Sequence, residues 1–261
     1  FFLLVLVLLL TGASIRVDAA AQPITPPSTL RAGTYKIETS LREIFGDQAL
    51  PDFERTVKPD EALYYTIHVP EGYDPAKPPG VVVYTSPFDT GSVPNDWESV
   101  LNEANLIWVS ANESGNDREA LRRVVEAIAG LALVRHDYRV DSSRFYAVGF
   151  SGGGRISSFV MMYFPDTFAG AIYICGIIPI SKADQPMVEQ MKANRYVFLT
   201  GTGDEKRFDL RRAYREYESA GFADILYIEV PMMEHDNPDT AHFSQAIGWL
   251  DGAGRAGEIE Q

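Results

Sequence analysis

The sequence predicts a three-layer α/β sandwich built on a mostly parallel β-sheet. Continuous apolar runs, as at residues 81–85, 106–110 and 145–149, are typical of strands that are buried on both faces of such a sheet. Segments with apolar residues at helical spacing alternate with these runs, which indicates right-handed βαβ crossovers. With 261 residues, of which 46% are hydrophobic and 23% charged, the chain is long enough to bury one sizeable core.

The elements follow one another in a clear order. Residues 34–39 and 63–69 alternate apolar and polar side chains, which predicts two antiparallel strands at one edge of the sheet with an irregular connection between them. The later strands are expected at residues 81–85, 106–110, 145–149, 171–175, 196–200 and 223–230. Helices are expected at residues 117–133, 152–163, 187–194, 209–220 and 241–250.

The N-terminal composition predicts export. Residues 1–10 are wholly apolar, and three alanines at 19–21 resemble a signal-peptide cleavage site. We therefore expect a signal peptide over residues 1–21 (truncated at its N-terminus), a flexible lead-in over 22–33, one catalytic α/β domain over 34–253 and a tail over 254–261. The protein is then secreted or periplasmic. Cys175 is the only cysteine, which excludes an intrachain disulfide. It lies in an apolar run, which predicts a buried structural thiol.

Charge and motif content exclude several classes of function. The net charge of −13 and the pI near 4.7 provide no electrostatic footprint for nucleic acid or anionic membranes. The N-terminal apolar run is too short for stable membrane insertion. There is no metalloprotease motif, cysteine pair or calcium-loop pattern, and no nucleotide-binding fingerprint. We expect neither a metal nor an organic cofactor.

The most informative motif is the G-x-S-x-G pattern around Ser151. It comprises residues 149–153 and lies between a predicted buried strand and a predicted helix. A sharp turn in this setting lifts the serine hydroxyl clear of the sheet, at a helix N-terminus that favours developing negative charge. The pattern predicts a nucleophilic serine.

An activated serine needs a base and an orienting acid, in the chain order Ser, Asp or Glu, His on this architecture. Asp204 follows a buried strand directly and is the preferred acid, with Glu205 and Asp209 as rivals. The alternative role of Asp204 is to cap the next helix. Of the four histidines, His235 alone follows a strand downstream of Ser151 with a helix still to come, so we expect it to be the base.

The oxyanion of an acyl-transfer reaction needs two N–H donors. One is expected from Gly152, directly after the nucleophile. The second is expected from the loop after residues 81–85, where Pro87 has no N–H and either Phe88 or Ser86 must supply it. We favour Phe88.

Four stretches carry a family resemblance: residues 108–117, 147–155, 199–204 and 230–235. The chain resembles the α/β-hydrolases over residues 34–251, and in particular the polyhydroxybutyrate depolymerase-like and feruloyl esterase-like secreted serine esterases. The resemblance implies Ser151 as nucleophile, Asp204 as acid and His235 as base. Ser86-Pro87 stands where this family usually carries a His-Gly pair. Residues 112–117 lie in one of these stretches, and the sequence assigns them no role.

These observations predict a secreted serine esterase with a Ser-His-Asp triad. Only about twenty residues separate the strands near 175 and 196, which leaves no room for a large lid and favours exposed esters, polymeric ones included. Short-chain acyl, feruloyl or acetyl esters and polyesters are the candidate substrates. The alternatives are a secreted serine peptidase of the same fold and a catalytically silent carbohydrate- or polyester-binding module.

Overall fold

The structure, a computed structural model, describes residues 31–46, 53, 55–94 and 96–252. The predicted signal peptide, most of the predicted lead-in and the predicted tail lie outside the described residues. In the part of the chain that is described, no helix is both long and apolar enough to cross a membrane.

The described strands form one eight-stranded sheet in the order β1-β2-β4-β3-β5-β6-β7-β8. They are β1 (Gly33–Thr39), β2 (Leu63–Val69), β3 (Gly80–Thr85), β4 (Leu106–Ala111), β5 (Phe145–Phe150), β6 (Gly170–Ile174), β7 (Arg195–Gly201) and β8 (Ile225–Val230). The pair β1–β2 and the pair β2–β4 are antiparallel, whereas β3 to β8 pair in parallel. The predicted fold class and the antiparallel N-terminal edge are confirmed.

Seven α-helices are described. They are α1 (Leu41–Phe45), α2 (Glu98–Glu103), α3 (Ala120–Asp137), α4 (Gly152–Tyr163), α5 (Gln185–Met191), α6 (Arg207–Ser219) and α7 (Thr240–Leu250). Two differ from the sequence prediction: α1 lies in the connection that was expected to be irregular, and α2 was not expected. Helix α3 begins three residues later than predicted, because the backbone before it is bound to the loop that follows β3.

Helices cover both faces of the sheet, and each face has its own hydrophobic core. Residues Val81 and Val83 of β3 pack on one side, below α3, α4 and α6. Val82 and Tyr84 of the same strand pack on the other side, below α2 and α7. This alternation follows from the two-residue repeat of a strand, and it explains why a run that is buried on both faces reads as continuously apolar.

The parallel arrangement determines where chemistry can take place. Because β3 to β8 run in the same direction, their carboxyl ends meet at one edge of the sheet, which is where ligands bind in open α/β sheets. The loops after β3, β4, β5, β7 and β8 all leave the sheet at this edge. These loops, together with the first residue of α4, carry the residues that the sequence predicts for the site.

Candidate active site

Ser151 lies in the sharp turn between β5 and α4. Its backbone has φ 54° and ψ −116°, a conformation that is rare for a residue with a side chain and that is typical of functional turns. Its N–H donates to the carbonyl of Ile174 at 2.7 Å, which holds the turn on the neighbouring strand. A Cβ at Gly149 would collide with the Gly153 carbonyl, and one at Gly153 with the carbonyl of Thr85. The two glycines of the motif are therefore required by close backbone approach.

The structure brings three of the predicted residues into one chain of hydrogen bonds. Ser151 Oγ lies 2.8 Å from His235 Nε2, and His235 Nδ1 lies 2.9 Å from Asp204 Oδ1. A carboxylate can only accept, so Nδ1 carries the proton and Nε2 is free to accept from the serine hydroxyl. The His235 side chain is 40% exposed, whereas Asp204 is fully buried. The base is thus open to a substrate while its acid partner is shielded from water.

The buried carboxylate of Asp204 is fully hydrogen-bonded. Oδ1 also accepts from the Lys206 N–H at 2.8 Å, and Oδ2 accepts from Thr200 Oγ1 at 2.8 Å. Burial by itself would raise the pKa of this carboxyl. The hydrogen bonds from Lys206, His235, Thr200 and Cys175 outweigh burial, so the pKa of Asp204 lies below its ordinary value. Asp204 is therefore ionised at neutral pH.

Cys175 is buried, as the sequence predicts, but it also lies beside the acid. Its sulfur approaches Thr200 Oγ1 at 3.9 Å and the Asp236 carbonyl at 3.6 Å. Burial, together with the negative charge of Asp204, raises the pKa of the thiol, which stays neutral and can donate to the carboxylate. Cys175, Asp204 and His235 offer ligand atoms within 4.8 Å of one another. A neutral thiol is a poor metal ligand, however, and the other two groups already bind each other.

The loop that carries the histidine is held by the core below it. Trp97 Nε1 donates to the Pro238 carbonyl at 3.0 Å, and the Tyr84 hydroxyl donates to Asn237 Oδ1 at 3.1 Å. Trp97 is itself fixed by stacking on Phe243 of α7, with ring centroids 3.8 Å apart. Two buried aromatic residues therefore determine the position of a loop that is exposed.

The other candidates from the sequence lie in different surroundings. His68 of β2 bonds to Thr34 of β1 and to Asn102 of α2. His136 pairs with Asp137, His242 pairs with the helix-capping Asp239, and Asp209 pairs with Arg212. Among the described residues, His235 is the histidine that contacts Ser151.

The two backbone N–H groups expected on the oxyanion side differ in their hydrogen bonding. Gly152 is the first residue of α4, where backbone N–H groups have no partner within the helix. The Phe88 N–H, by contrast, donates to Ser86 Oγ at 3.0 Å. The Phe88 side chain is 61% exposed on the loop after β3. The assignment of Phe88 as the second donor stays a prediction.

Two residues near this side were not singled out by sequence reasoning. Arg123 of α3 is only 4% exposed, and its Nη2 donates to the Ser86 carbonyl at 2.7 Å. Its Nη1 donates to Asn116 Oδ1 at 3.2 Å. Burial lowers the pKa of Arg123 to about 10. In the sequence, Arg123 is one of several charges in a helical pattern, and the only signal was that residues 112–117 lie in a stretch of family resemblance.

No family model matches the chain, and no curated protein matches it. Solved structures do match. A feruloyl esterase module from Clostridium thermocellum, complexed with sinapinate, is similar with a TM-score of 0.63 and 13% identity, over 87% of this chain and 90% of that one. The fluorophosphonate-binding serine hydrolase F of Staphylococcus aureus matches with a TM-score of 0.63 and 12% identity, over 84% of this chain and 99% of that one.

A longer protein from Bacteroides ovatus, named as a dipeptidyl aminopeptidase IV, matches with a TM-score of 0.58 and 15% identity. The match covers 83% of this chain, which spans about a third (35%) of that protein's length. At these identities the likeness concerns the fold. The strand order, the antiparallel N-terminal strands and the helices on both faces agree with it, and the chain has the α/β-hydrolase fold.

Proposed function

We propose that this protein hydrolyses carboxylic esters through an acyl-enzyme, with Ser151 as nucleophile, His235 as general base and acid, and Asp204 as the orienting acid. One observation carries the proposal: the continuous hydrogen bonds Ser151–His235–Asp204 at a strained strand–helix turn. This arrangement of nucleophile, base and orienting acid is the geometric signature of acyl-transfer catalysis by serine.

In the first step, Ser151 Oγ attacks the ester carbonyl carbon, and its proton passes to His235 Nε2. A tetrahedral intermediate forms, and the carbonyl oxygen becomes an oxyanion. The intermediate collapses when the bond from carbon to the alcohol oxygen breaks. His235 gives its proton to the departing alcohol, and the acyl group stays on Ser151.

In the second step, water takes the place of the alcohol. His235 removes a proton from water, the hydroxide oxygen bonds to the acyl carbon, and the proton returns to Ser151 Oγ as the carboxylic acid leaves. The ionised Asp204 keeps the proton of the imidazole on Nδ1 and stabilises the imidazolium of each transition state.

The oxyanion is proposed to bind at the N-terminus of α4. The Gly152 N–H is the first donor, and the helix dipole favours negative charge at this point. Phe88 is the predicted second donor from the loop after β3. Its use requires that its N–H exchanges Ser86 Oγ for the substrate oxygen.

The proposed substrates are exposed esters with short acyl, acetyl or feruloyl groups, or polyesters. Between β6 and β7 the chain forms only a short 3₁₀-helix (Ile180–Lys182) and α5, so no large lid arises there. Similarity to feruloyl esterase structures supports this choice. We further propose that residues 34–253 act as one catalytic domain and, from the N-terminal pattern, that the protein is secreted or periplasmic.

Peptide hydrolysis is the second candidate, because the structural neighbours include two proteins named as dipeptidyl peptidases. Amide and ester bonds need the same groups. Rates on p-nitrophenyl butyrate and on the matching p-nitroanilide separate the two functions. Because an activated ester is intrinsically more reactive than an amide, the deciding observation is whether the amide is hydrolysed at all, and we expect no hydrolysis of the p-nitroanilide above the rate of Ser151→Ala.

The direct test compares the chain with Ser151→Ala on p-nitrophenyl acetate, butyrate and octanoate. We expect kcat to fall by at least about 10⁴-fold, because nucleophile and base act as a unit. Ser219→Ala, a change of the same type at an exposed position at the end of α6, serves as the control. Equal rates for Ser151→Ala and the unchanged chain would refute the proposed nucleophile, and the chain-length profile would measure the acyl pocket.

A further inference from the structure

The loop between β4 and α3 is fastened to the loop after β3 by several hydrogen bonds, three of which involve residues 113–116. The Asn116 N–H donates to the Pro87 carbonyl at 3.0 Å, and the Glu113 N–H donates to the carbonyl of Asp89 at 3.0 Å. The Gly115 N–H donates to Asp89 Oδ1 at 2.9 Å. Residues 113–116 are therefore held against the loop in which the second oxyanion donor was sought.

This attachment places the carboxamide of Asn116 directly on Gly152. A Cβ built at Gly152 would collide with Asn116 Oδ1 and would lie 3.0 Å from Nδ2. The glycine after the nucleophile thus leaves room for an asparagine side chain from another loop. A group that binds at the Gly152 N–H lies next to this carboxamide. Asn116 is exposed, so its amide is open to a ligand.

Arg123 determines which end of the carboxamide is available. Its Nη1 donates to Asn116 Oδ1 at 3.2 Å, and a guanidinium has only donors, so the amide oxygen must face the arginine. The NH₂ group points away, and Nδ2 has no hydrogen-bond partner among the described residues. A buried cation on the oxygen also polarises the amide and makes its N–H groups stronger donors.

We infer that Asn116 Nδ2 donates to the carbonyl oxygen of the bound ester, beside the Gly152 N–H, and that Arg123 is the residue that positions it. The inference rests on the proposed function, because it names a further donor for the same oxyanion. A side-chain amide serves this purpose in acyl-transfer enzymes as a backbone N–H does. Asn116 supplies its donor without breaking the bond between Phe88 and Ser86.

The first test measures kcat and KM on p-nitrophenyl butyrate for Asn116→Ala and Asn116→Asp. Removal of one oxyanion donor lowers kcat by about 10²- to 10³-fold at a closed site, and for this exposed side chain we expect about 10- to 100-fold with KM within about twofold. Asn116→Asp keeps an acceptor for Arg123 but loses the donor and adds negative charge, so its kcat falls at least as far.

The control is Asp117→Ala, a substitution at the next residue of the same exposed loop, which is expected to leave kcat within about twofold. Arg123→Lys tests the positioning role. We expect it to lower kcat in the unchanged chain but to have much less effect in the Asn116→Ala background, because positioning matters only while the amide is present. Thermal unfolding of each variant confirms that the chain remains folded.

The outcomes separate this inference from the proposed function. If Ser151→Ala abolishes ester hydrolysis while Asn116→Ala keeps full kcat, the inference is wrong and the proposed function stands. A raised KM at unchanged kcat also overturns it, since that result means equal contact in the ground state and the transition state. If Ser151→Ala retains full activity, both the proposed function and this inference are wrong.

Discussion

Two buried charged groups support the two halves of the site, and they are held in different ways. Asp204, behind His235, has hydrogen-bond donors for both carboxylate oxygens, from Thr200 and Lys206 as well as the histidine. Arg123, behind Asn116, binds two acceptors but leaves its buried Nε without a partner. Both carboxylate oxygens of Asp204 therefore have hydrogen-bond partners, whereas one buried N–H of Arg123 has none among the described residues.

The difference follows from where the partners lie in the chain. Thr200 and Lys206 flank Asp204 in one strand and turn, so the local backbone already brings the donors to the carboxylate. The partners of Arg123, Ser86 and Asn116, come from two separate loops. The residues of a short turn can position their own hydrogen-bond donors. The contact between two separate loops depends instead on where the sheet places the strands from which they emerge.

A second buried carboxyl, Glu126, makes the contrast sharper. It lies one turn beyond Arg123 on α3, and its Oε1 accepts from Arg122 Nε at 2.8 Å while Oε2 has no partner. Burial raises the pKa of Glu126, and the bonds from Ser114 and Arg122 do not offset it. Burial acts on Asp204 in the same sense, but there the hydrogen bonds prevail and the pKa is lowered. Hydrogen bonds from four groups reach the Asp204 carboxylate and from two groups the Glu126 carboxylate, and the two pKa shifts have opposite directions.

The largest expected loss of kcat in this comparison follows from substitution of Asp204. Asp204→Asn should lower kcat on p-nitrophenyl butyrate by about 10³- to 10⁴-fold, because an amide can present its NH₂ to His235 and stabilise the wrong tautomer. Asp209→Asn, at an exposed rival in the same region, is the matched control and should change kcat by less than about twofold. If Asp204→Asn lowers kcat only slightly and Asp209→Asn lowers it strongly, Asp209 is the orienting acid and the assignment of Asp204 is wrong.

An intermediate effect is expected at the contact between Gly152 and Asn116. Gly152→Ala keeps the N–H but adds a Cβ that must displace the Asn116 amide. We expect kcat to fall about 10-fold in the unchanged chain and by only about two- to threefold in the Asn116→Ala background, as measured by a double-mutant cycle. Gly72→Ala, where an added Cβ meets nothing within 4 Å, is the control. Equal losses in both backgrounds would show that Asn116 is not what the Cβ displaces.

The smallest effect, on the order of 1 kcal/mol, is expected in the pH dependence of stability. The pKa of Asp204 is lowered from 3.8, so its ionisation stabilises the folded chain above about pH 4, and this contribution is lost as the pH falls. The pKa of Glu126 is raised from 4.5, so its contribution is complete below about pH 4 and is lost as the pH rises.

Urea unfolding at pH 2.5, 4, 5.5 and 8 covers the pH ranges in which both carboxyls titrate. The variant's free energy of unfolding minus that of the unchanged chain should decrease for Asp204→Asn as the pH rises, because only the unchanged chain gains the stabilising carboxylate. For Glu126→Gln the same difference should increase as the pH rises, because only the unchanged chain must ionise a buried carboxyl. If both differences change with pH in the same sense, the contrast between the two carboxyls does not hold.

Much of the fold can be predicted from local sequence patterns. Continuous apolar runs predicted five of the six parallel strands, residues 223–230 were predicted as the last strand, and alternation predicted β1 and β2. Burial on one or two faces leaves a direct trace in the sequence of a strand. The five-residue helix α1 and the six-residue helix α2 carry too few residues for such a trace. The early start predicted for α3 has a related cause: residues 117–119 resemble a helix start, but hydrogen bonds to the loop after β3 keep the preceding backbone in a turn.

For the candidate site, strand ends and chain order were enough to select Ser151, Asp204 and His235 as candidates, because each must follow a strand in a known order and the chain offers few choices. The folded structure adds that they share one chain of hydrogen bonds, that Cys175 lies behind the acid, and that the Phe88 N–H donates to Ser86. It also brought Asn116 onto Gly152 and Arg123 behind both loops, contacts that no local pattern encodes. The sequence of a strand and the residues of the turn that follows it are local properties. Contact between two loops depends instead on which strands are neighbours in the folded sheet.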